Sequence, residues 1–122
     1  MKVFIAGALS SKENPDRNPS QIVVEYLHNV HEMCRVAGRV RKLGHTPFVP
    51  ALDLLLGVIC GDWGEWDYRG ISDEFLDICD AVLVISWSWG VKREVELAKK
   101  LCIPIYYTIE ELEAQYGGTP TV

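Results

Sequence analysis

No stretch of this chain reaches the ~18 consecutive apolar residues that a membrane-spanning helix needs, so no membrane span is expected. No block of like charges builds up either. The formal net charge is -5 over 122 residues, with a pI of about 5.1. The electrostatic footprint of a nucleic-acid binder is therefore missing. An acidic total still leaves room for a small anionic ligand, because one arginine or the start of one helix is enough to hold it. The four cysteines (Cys34, Cys60, Cys79 and Cys102) lie far apart and form no C-x-x-C pair, which argues against a disulfide framework. Three of them fall within apolar runs, which predicts buried free thiols and a cytoplasmic protein. Internal repeats and low-complexity segments are absent. His28 and His31 stand three apart on a predicted helix, on its polar side, opposite Ile22, Tyr26, Val30, Met33 and Ala37. They read as solvated side chains, so neither a metal nor any other cofactor is expected.

What is present is an apolar share of 48%, enough for one domain with a real core over residues 1–122. The short start "MKVFIAGALS" reads as a first strand, Lys2 to Gly7, rather than as a leader. A polar loop with two prolines, Ser10 to Ser20, precedes a helix that Ser20 could cap and that keeps its period up to Gly44. Thr46 to Pro50 is a short strand, and "ALDLLLGVIC" a short helix or an irregular segment. Gly61 to Gly70 reads as a loop, Ile71 to Cys79 as a helix, and Ala81 to Ser86 as a fully buried strand. A helix from Val91 to Cys102, a strand from Ile103 to Thr108 and a last helix ending at Gly117 complete the order. Residues 117–122 are expected to be a loose tail. Strands alternating with helices predict an α/β fold: a flavodoxin/Rossmann-like three-layer sandwich, with a parallel β-sheet and helices on both faces. Ligands of such sheets bind beyond the carboxyl ends of the strands, where the connections diverge. The loops after Gly7, around Pro50 and at "SWSWG" all reach that place.

The joint "VISWSWGVKREVE" carries the most information. On a helical wheel Val91, Val95, Leu97, Ala98, Leu101 and Cys102 form one apolar arc, while Lys92, Arg93, Glu96, Lys99 and Lys100 take the other side. Glu94 is the only charged residue inside the apolar arc. In the first turn of a helix it has two options: satisfaction by the free N–H groups of that helix, or a place in a cavity with an altered pKa. Ser88 puts a hydroxyl beside the helix start, and Gly90 allows close approach of a ligand. The tryptophans are either packing and subunit contacts or the wall for a flat base.

"FIAG", "LGHTPFVPA", "ISDEFLDICDAVLVI" and the pattern S-x-G-x-x-x-E-x-x-x-A (Ser88, Gly90, Glu94, Ala98) resemble the nucleoside 2-deoxyribosyltransferase-like superfamily. That superfamily includes nucleoside 5'-monophosphate N-glycosidases and related small phage and bacterial proteins of unknown function. The resemblance spans roughly Lys2 to Tyr107. It implies that Glu94 is the nucleophile attacking the anomeric carbon and that Asp73 helps protonate the departing base. It also implies that Gly7, Ala8, Leu9 and Ser10 line the sugar or phosphate side. Serine at position 88 favours a 5'-phosphate, and Lys12 and Arg17 could add positive charge from the loop. One departure stands out: many active members carry a tyrosine in the first strand that hydrogen-bonds the nucleophile, where this chain has Phe4. Tyr68 and Trp63 are the candidates to replace it at the substrate. The expected activity is cleavage or exchange of the N-glycosidic bond of a nucleoside or nucleotide. The alternative is a non-catalytic small-molecule binder on the same fold. The resemblance, with the apolar surface of Trp63, Trp66 and Trp87, also implies a homodimer or larger homo-oligomer.

Overall fold

A computed structural model describes residues 1–9, 16 and 18–116. Four strands, β1 (Lys2–Ala6), β2 (Thr46–Phe48), β3 (Ala81–Val84) and β4 (Ile105–Tyr106), alternate with five helices. The helices are α1 (Pro19–Lys42), α2 (Asp53–Cys60), α3 (Glu65–Asp77), α4 (Trp89–Lys100) and α5 (Ile109–Tyr116), and a short 3-10 turn, Pro50–Leu52, leads into α2. All strand pairs are parallel, in the order β2-β1-β3-β4. The predicted α/β sandwich is the observed one.

The two-residue period of a strand sorts the core into two layers. Val3 and Ile5 of β1 and Ala81 and Leu83 of β3 pack on Met33, Ala37 and Val40 of α1 and on Ile109 and Leu112 of α5. Phe4, Ala6, Val82 and Val84 point the other way, onto Leu76 of α3 and Val91, Val95 and Ala98 of α4. Both faces are covered, which is why β1 and β3 read as unbroken apolar runs. The chain leaves β1 toward β2 on one side, while β3 continues to β4 on the other. Connections therefore diverge between the carboxyl ends of β1 and β3, the place where this architecture opens a crevice.

The strands are shorter than the sequence reading has them, β4 spanning Ile105–Tyr106 within the expected Ile103–Thr108, and three helix starts differ from it. Helix α1 is capped by Asn18, not Ser20: the Asn18 side chain accepts the Gln21 N–H, the Gln21 side chain accepts the Asn18 N–H, both at 2.8 Å, and Pro19 supplies the first helical residue. Helix α3 begins at Glu65, inside the expected Gly61–Gly70 loop. Its start is fixed by the Asp67 carboxylate, which accepts the Gly64 N–H at 2.7 Å, and Arg69 pairs with Glu65 one turn back. Gly70 lies within that helix and hid it from a reading that treats glycine as punctuation. Helix α4 begins at Trp89, two residues early, behind the cap of Ser88.

The cysteines are free, as expected, but only Cys79 is buried; Cys34, Cys60 and Cys102 are exposed. The reason is that an apolar run does not guarantee burial. Helix α2 leaves Leu55, Leu56, Val58 and Ile59 exposed, the turn before it leaves Leu52 exposed, and the first turns of α1 leave Val23, Val24 and Leu27 exposed. Among the described residues no helix is long and apolar enough to cross a membrane.

Candidate functional site

A cavity of about 440 Å³ opens at the divergence of β1 and β3. Ile5, Gly7 and Leu9 reach it from the end of β1, and Ser88 to Val91 with Arg93 and Glu94 reach it from α4. Helix α3 contributes Glu65, Tyr68, Arg69 and Ser72, which are the i, i+3, i+4 and i+7 positions of one helical face. Helix α2 contributes Asp53 and Leu54. Local contacts fix the walls. Asn29 of α1 donates to the Leu9 carbonyl at 2.9 Å, and the Ala8 N–H donates to Ser86 Oγ at 2.8 Å. A Cβ on Gly7 would come within 2.8 Å of Met33 Sδ, so a larger residue there would have to displace the Met33 side chain from its seat at the strand end.

Because α4 starts at Trp89, Glu94 lies in its second turn, beyond the free N–H groups at the helix start. Of the two options left by the sequence, helix-end satisfaction is therefore removed. The carboxylate faces the cavity and accepts a hydrogen bond from Ser72 Oγ at 2.8 Å. Burial pushes its pKa up from the ordinary 4.5 to about 7, against the opposing pull of the Ser72 hydroxyl and the Arg93 charge.

The sign of the stability effect follows. Between about pH 4.5 and 7 the folded protein holds a proton on Glu94 that the unfolded chain releases, so stability falls as pH rises through that window. The loss is at most about 3–4 kcal/mol, the pKa displacement converted at ~1.4 kcal/mol per unit. Glu94→Gln should accordingly raise the melting temperature at pH 8 and change it much less at pH 4. Thermal melts of both proteins at the two pH values check this, and equal increments would contradict it.

The two acids that the sequence reading joined stay close enough for the Asp73 charge to raise the Glu94 pKa, but they do not share the cavity wall. Asp73 is outside the cavity lining, and Arg93 Nη1 donates to both its oxygens, at 2.7 and 2.9 Å. The α3 residue that meets Glu94 is its neighbour, Ser72. Ser88 lines the cavity and also caps α4, its Oγ accepting the Val91 N–H at 3.2 Å. Gly7, Leu9, Ser88, Gly90 and Tyr68 all line the cavity; Ala8 and Trp63 do not. Trp63 instead packs edge-on against Tyr68, with ring centroids 5.4 Å apart. Ser10, Lys12 and Arg17 lie outside the described residues. Phe4 is fully buried on the sheet face that carries α3 and α4, against Phe48, and Ile5 is the β1 side chain at the cavity. Lys92 covers the exposed Trp89 ring at 5.3 Å.

Sequence reasoning missed Ser72, Asp53, Glu65 and Arg69. The signal for Ser72 was its place one turn before Leu76 on the inner face of α3, and it was lost with the first six residues of that helix. Asp53 was signalled by its being the lone charge in "ALDLLLGVIC". It sits in a second polar group with Tyr26 and Tyr68: the Tyr26 hydroxyl donates to the Ala51 carbonyl at 2.9 Å, and its pKa is raised by burial, then by Tyr68 and Asp53 nearby. Burial also raises the pKa of Asp53 itself.

Comparison of the chain with protein-family models, with curated proteins and with solved structures finds no match.

Proposed function

We propose that this protein cleaves or exchanges the N-glycosidic bond of a nucleoside or nucleoside 5'-monophosphate, with Glu94 as nucleophile. The observation that carries the reading is Glu94 itself: a carboxylate turned into a cavity at the carboxyl end of the sheet and held by one hydroxyl. Its neighbouring arginine is committed to Asp73. In its ionised form such a group can attack an anomeric carbon and form a glycosyl ester, which water or a second base then resolves. Ser72 orients the carboxylate. Tyr68 lines the same cavity with its ring, its hydroxyl seated above Gly57 of α2. The motif resemblance to the deoxyribosyltransferase-like superfamily supports the same assignment of Glu94. Asp73, tied to Arg93, is better placed to position that arginine than to protonate a base.

Base release from a panel of nucleosides and their 5'-monophosphates, followed by chromatography, tests the proposal; no release from any of them would remove it. The start of α4, with Ser88 and Gly90, offers an anion the free N–H groups and positive end of that helix. A charge-assisted phosphate contact is worth about 1.5–3 kcal/mol, so a monophosphate should bind ~10-fold or more tightly than its nucleoside. Equal affinities by calorimetric titration would end the phosphate part of the proposal. Assembly as a homodimer belongs to the same reading, because the exposed apolar face of α2 borders the cavity wall; a monomeric mass by light scattering would count against it.

The pairing of Asp73 with Arg93 favours a second reading, a non-catalytic nucleotide binder on this fold. Ligand-induced thermal stabilisation without any base release would identify it.

A further inference from the structure

Three carboxyl groups line the cavity, and two of them have partners: Glu65 holds Arg69, and Glu94 holds Ser72. Asp53 has no hydrogen bond and no ion pair among the described residues. It is partly buried at the start of α2, and its surroundings are phenols rather than cations. One turn further along the same face of α2, Gly57 leaves a space that the Tyr68 hydroxyl fills, so a ring wall stands beside the Asp53 carboxylate. Because Asp53 is only partly buried, the N–H donors of a ligand in the cavity can reach its acceptor oxygens.

We propose that Asp53 is a specificity-determining residue that reads the base of the bound nucleotide, and that it selects guanine. The proposal rests on the cavity being a nucleotide site. An ionised carboxylate only accepts, and it does so best from two parallel N–H donors, as it does from arginine. Guanine presents two such donors side by side, the ring N1–H and the 2-amino group. Hypoxanthine keeps the first and lacks the second. Adenine and cytosine set a ring acceptor beside their amino group, which would turn a lone pair toward the second carboxylate oxygen. The flat wall of Tyr68, braced by Trp63, suits a planar base in the same place.

Calorimetric titration of the full chain with guanosine and inosine 5'-monophosphates tests this. The two ligands differ only in the 2-amino group. One hydrogen bond to a charged acceptor predicts a preference of ~10-fold or more for the guanine nucleotide in the wild type. Asp53→Asn should shrink that preference to about twofold or less and weaken both ligands, the guanine nucleotide more, because hypoxanthine's N1–H loses the same charged acceptor. Equal wild-type affinities would overturn the proposal, and this arm does not depend on the variant folding. An undiminished preference in a folded Asp53→Asn protein would overturn it too, leaving Asp53 as a helix-start acid whose loss shows only in the melting temperature. Base release from other nucleotides without guanine preference would sink the specificity assignment and leave the enzyme reading standing. Binding of neither nucleotide, together with no base release from the panel, would remove both.

Discussion

Glu94→Gln is expected to abolish base release, by ~10³-fold or more, while Glu96→Gln leaves the rate within about a factor of two. The two glutamates are two residues apart on α4, and a helix turns ~200° over that interval. Glu94 faces the cavity and Glu96 is exposed on the charged side. Glutamine keeps the shape of Glu94 and an oxygen able to accept from Ser72, so the wall should be preserved. What it loses is the negative oxygen that would bond to the anomeric carbon; of the other two carboxyl groups in the wall, Glu65 is held by Arg69 and Asp53 stands on α2, one turn from the Tyr68 ring, while Asp73 lies outside. The variant should also fold at least as well as the wild type, since a buried charge has been removed. A poor rate therefore cannot be ascribed to unfolding. Chromatographic assay of the three proteins on the best substrate of the panel decides the matter, and equal rates for wild type and Glu94→Gln would remove the nucleophile assignment.

How much of this was legible beforehand depends on which physical signal each element carries. Strands β1 and β3 announce themselves by continuous apolarity, because both of their faces are covered, and the parallel order follows from their alternation with helices. Glu94 is legible because α4 has one apolar arc and a single charge within it. Its environment is not, since whether a hydroxyl or an ion meets it depends on α3, a separate element whose start is set by a side-chain contact at Gly64 rather than by periodicity. The choice between Ser72 and Asp73 is a matter of helical phase: adjacent residues point ~100° apart, so only the true register shows which of them enters the cavity. Asp53 could be noticed as an oddity in an apolar run, but its lack of a partner is a property of the folded neighbourhood. The exposed faces of α2 and of the first turns of α1 mislead in the opposite direction. Apolar sequence there predicts burial that a single chain does not provide, and Cys60 at the end of α2 is exposed for the same reason.

The wall that carries Asp53 and Tyr68 has its own vulnerable point at Gly57. A Cβ added there would lie 1.7 Å from the Tyr68 hydroxyl and 2.4 Å from the ring carbon that bears it. No rotation of the hydroxyl relieves an overlap that includes the ring, so either Tyr68 leaves its seat or α2 moves away from α3. Gly57→Ala should therefore destabilise the protein by about 1–3 kcal/mol, the usual cost of overpacking, although alanine is the better helix former. The same substitution in a Tyr68→Ala background meets no ring. There the helix preference remains, and Gly57→Ala should stabilise by up to about 1 kcal/mol. The change of sign is the diagnostic feature, because a glycine kept only for backbone freedom would be hurt equally in both backgrounds. Gly57 is in ordinary helical conformation, not among the positive-φ glycines, so backbone freedom has no claim on it. Denaturant unfolding of the four proteins measures the cycle. A loss of the same size with and without Tyr68 would show that the phenol does not occupy the space above Gly57, and the wall beside Asp53 would have to be redrawn.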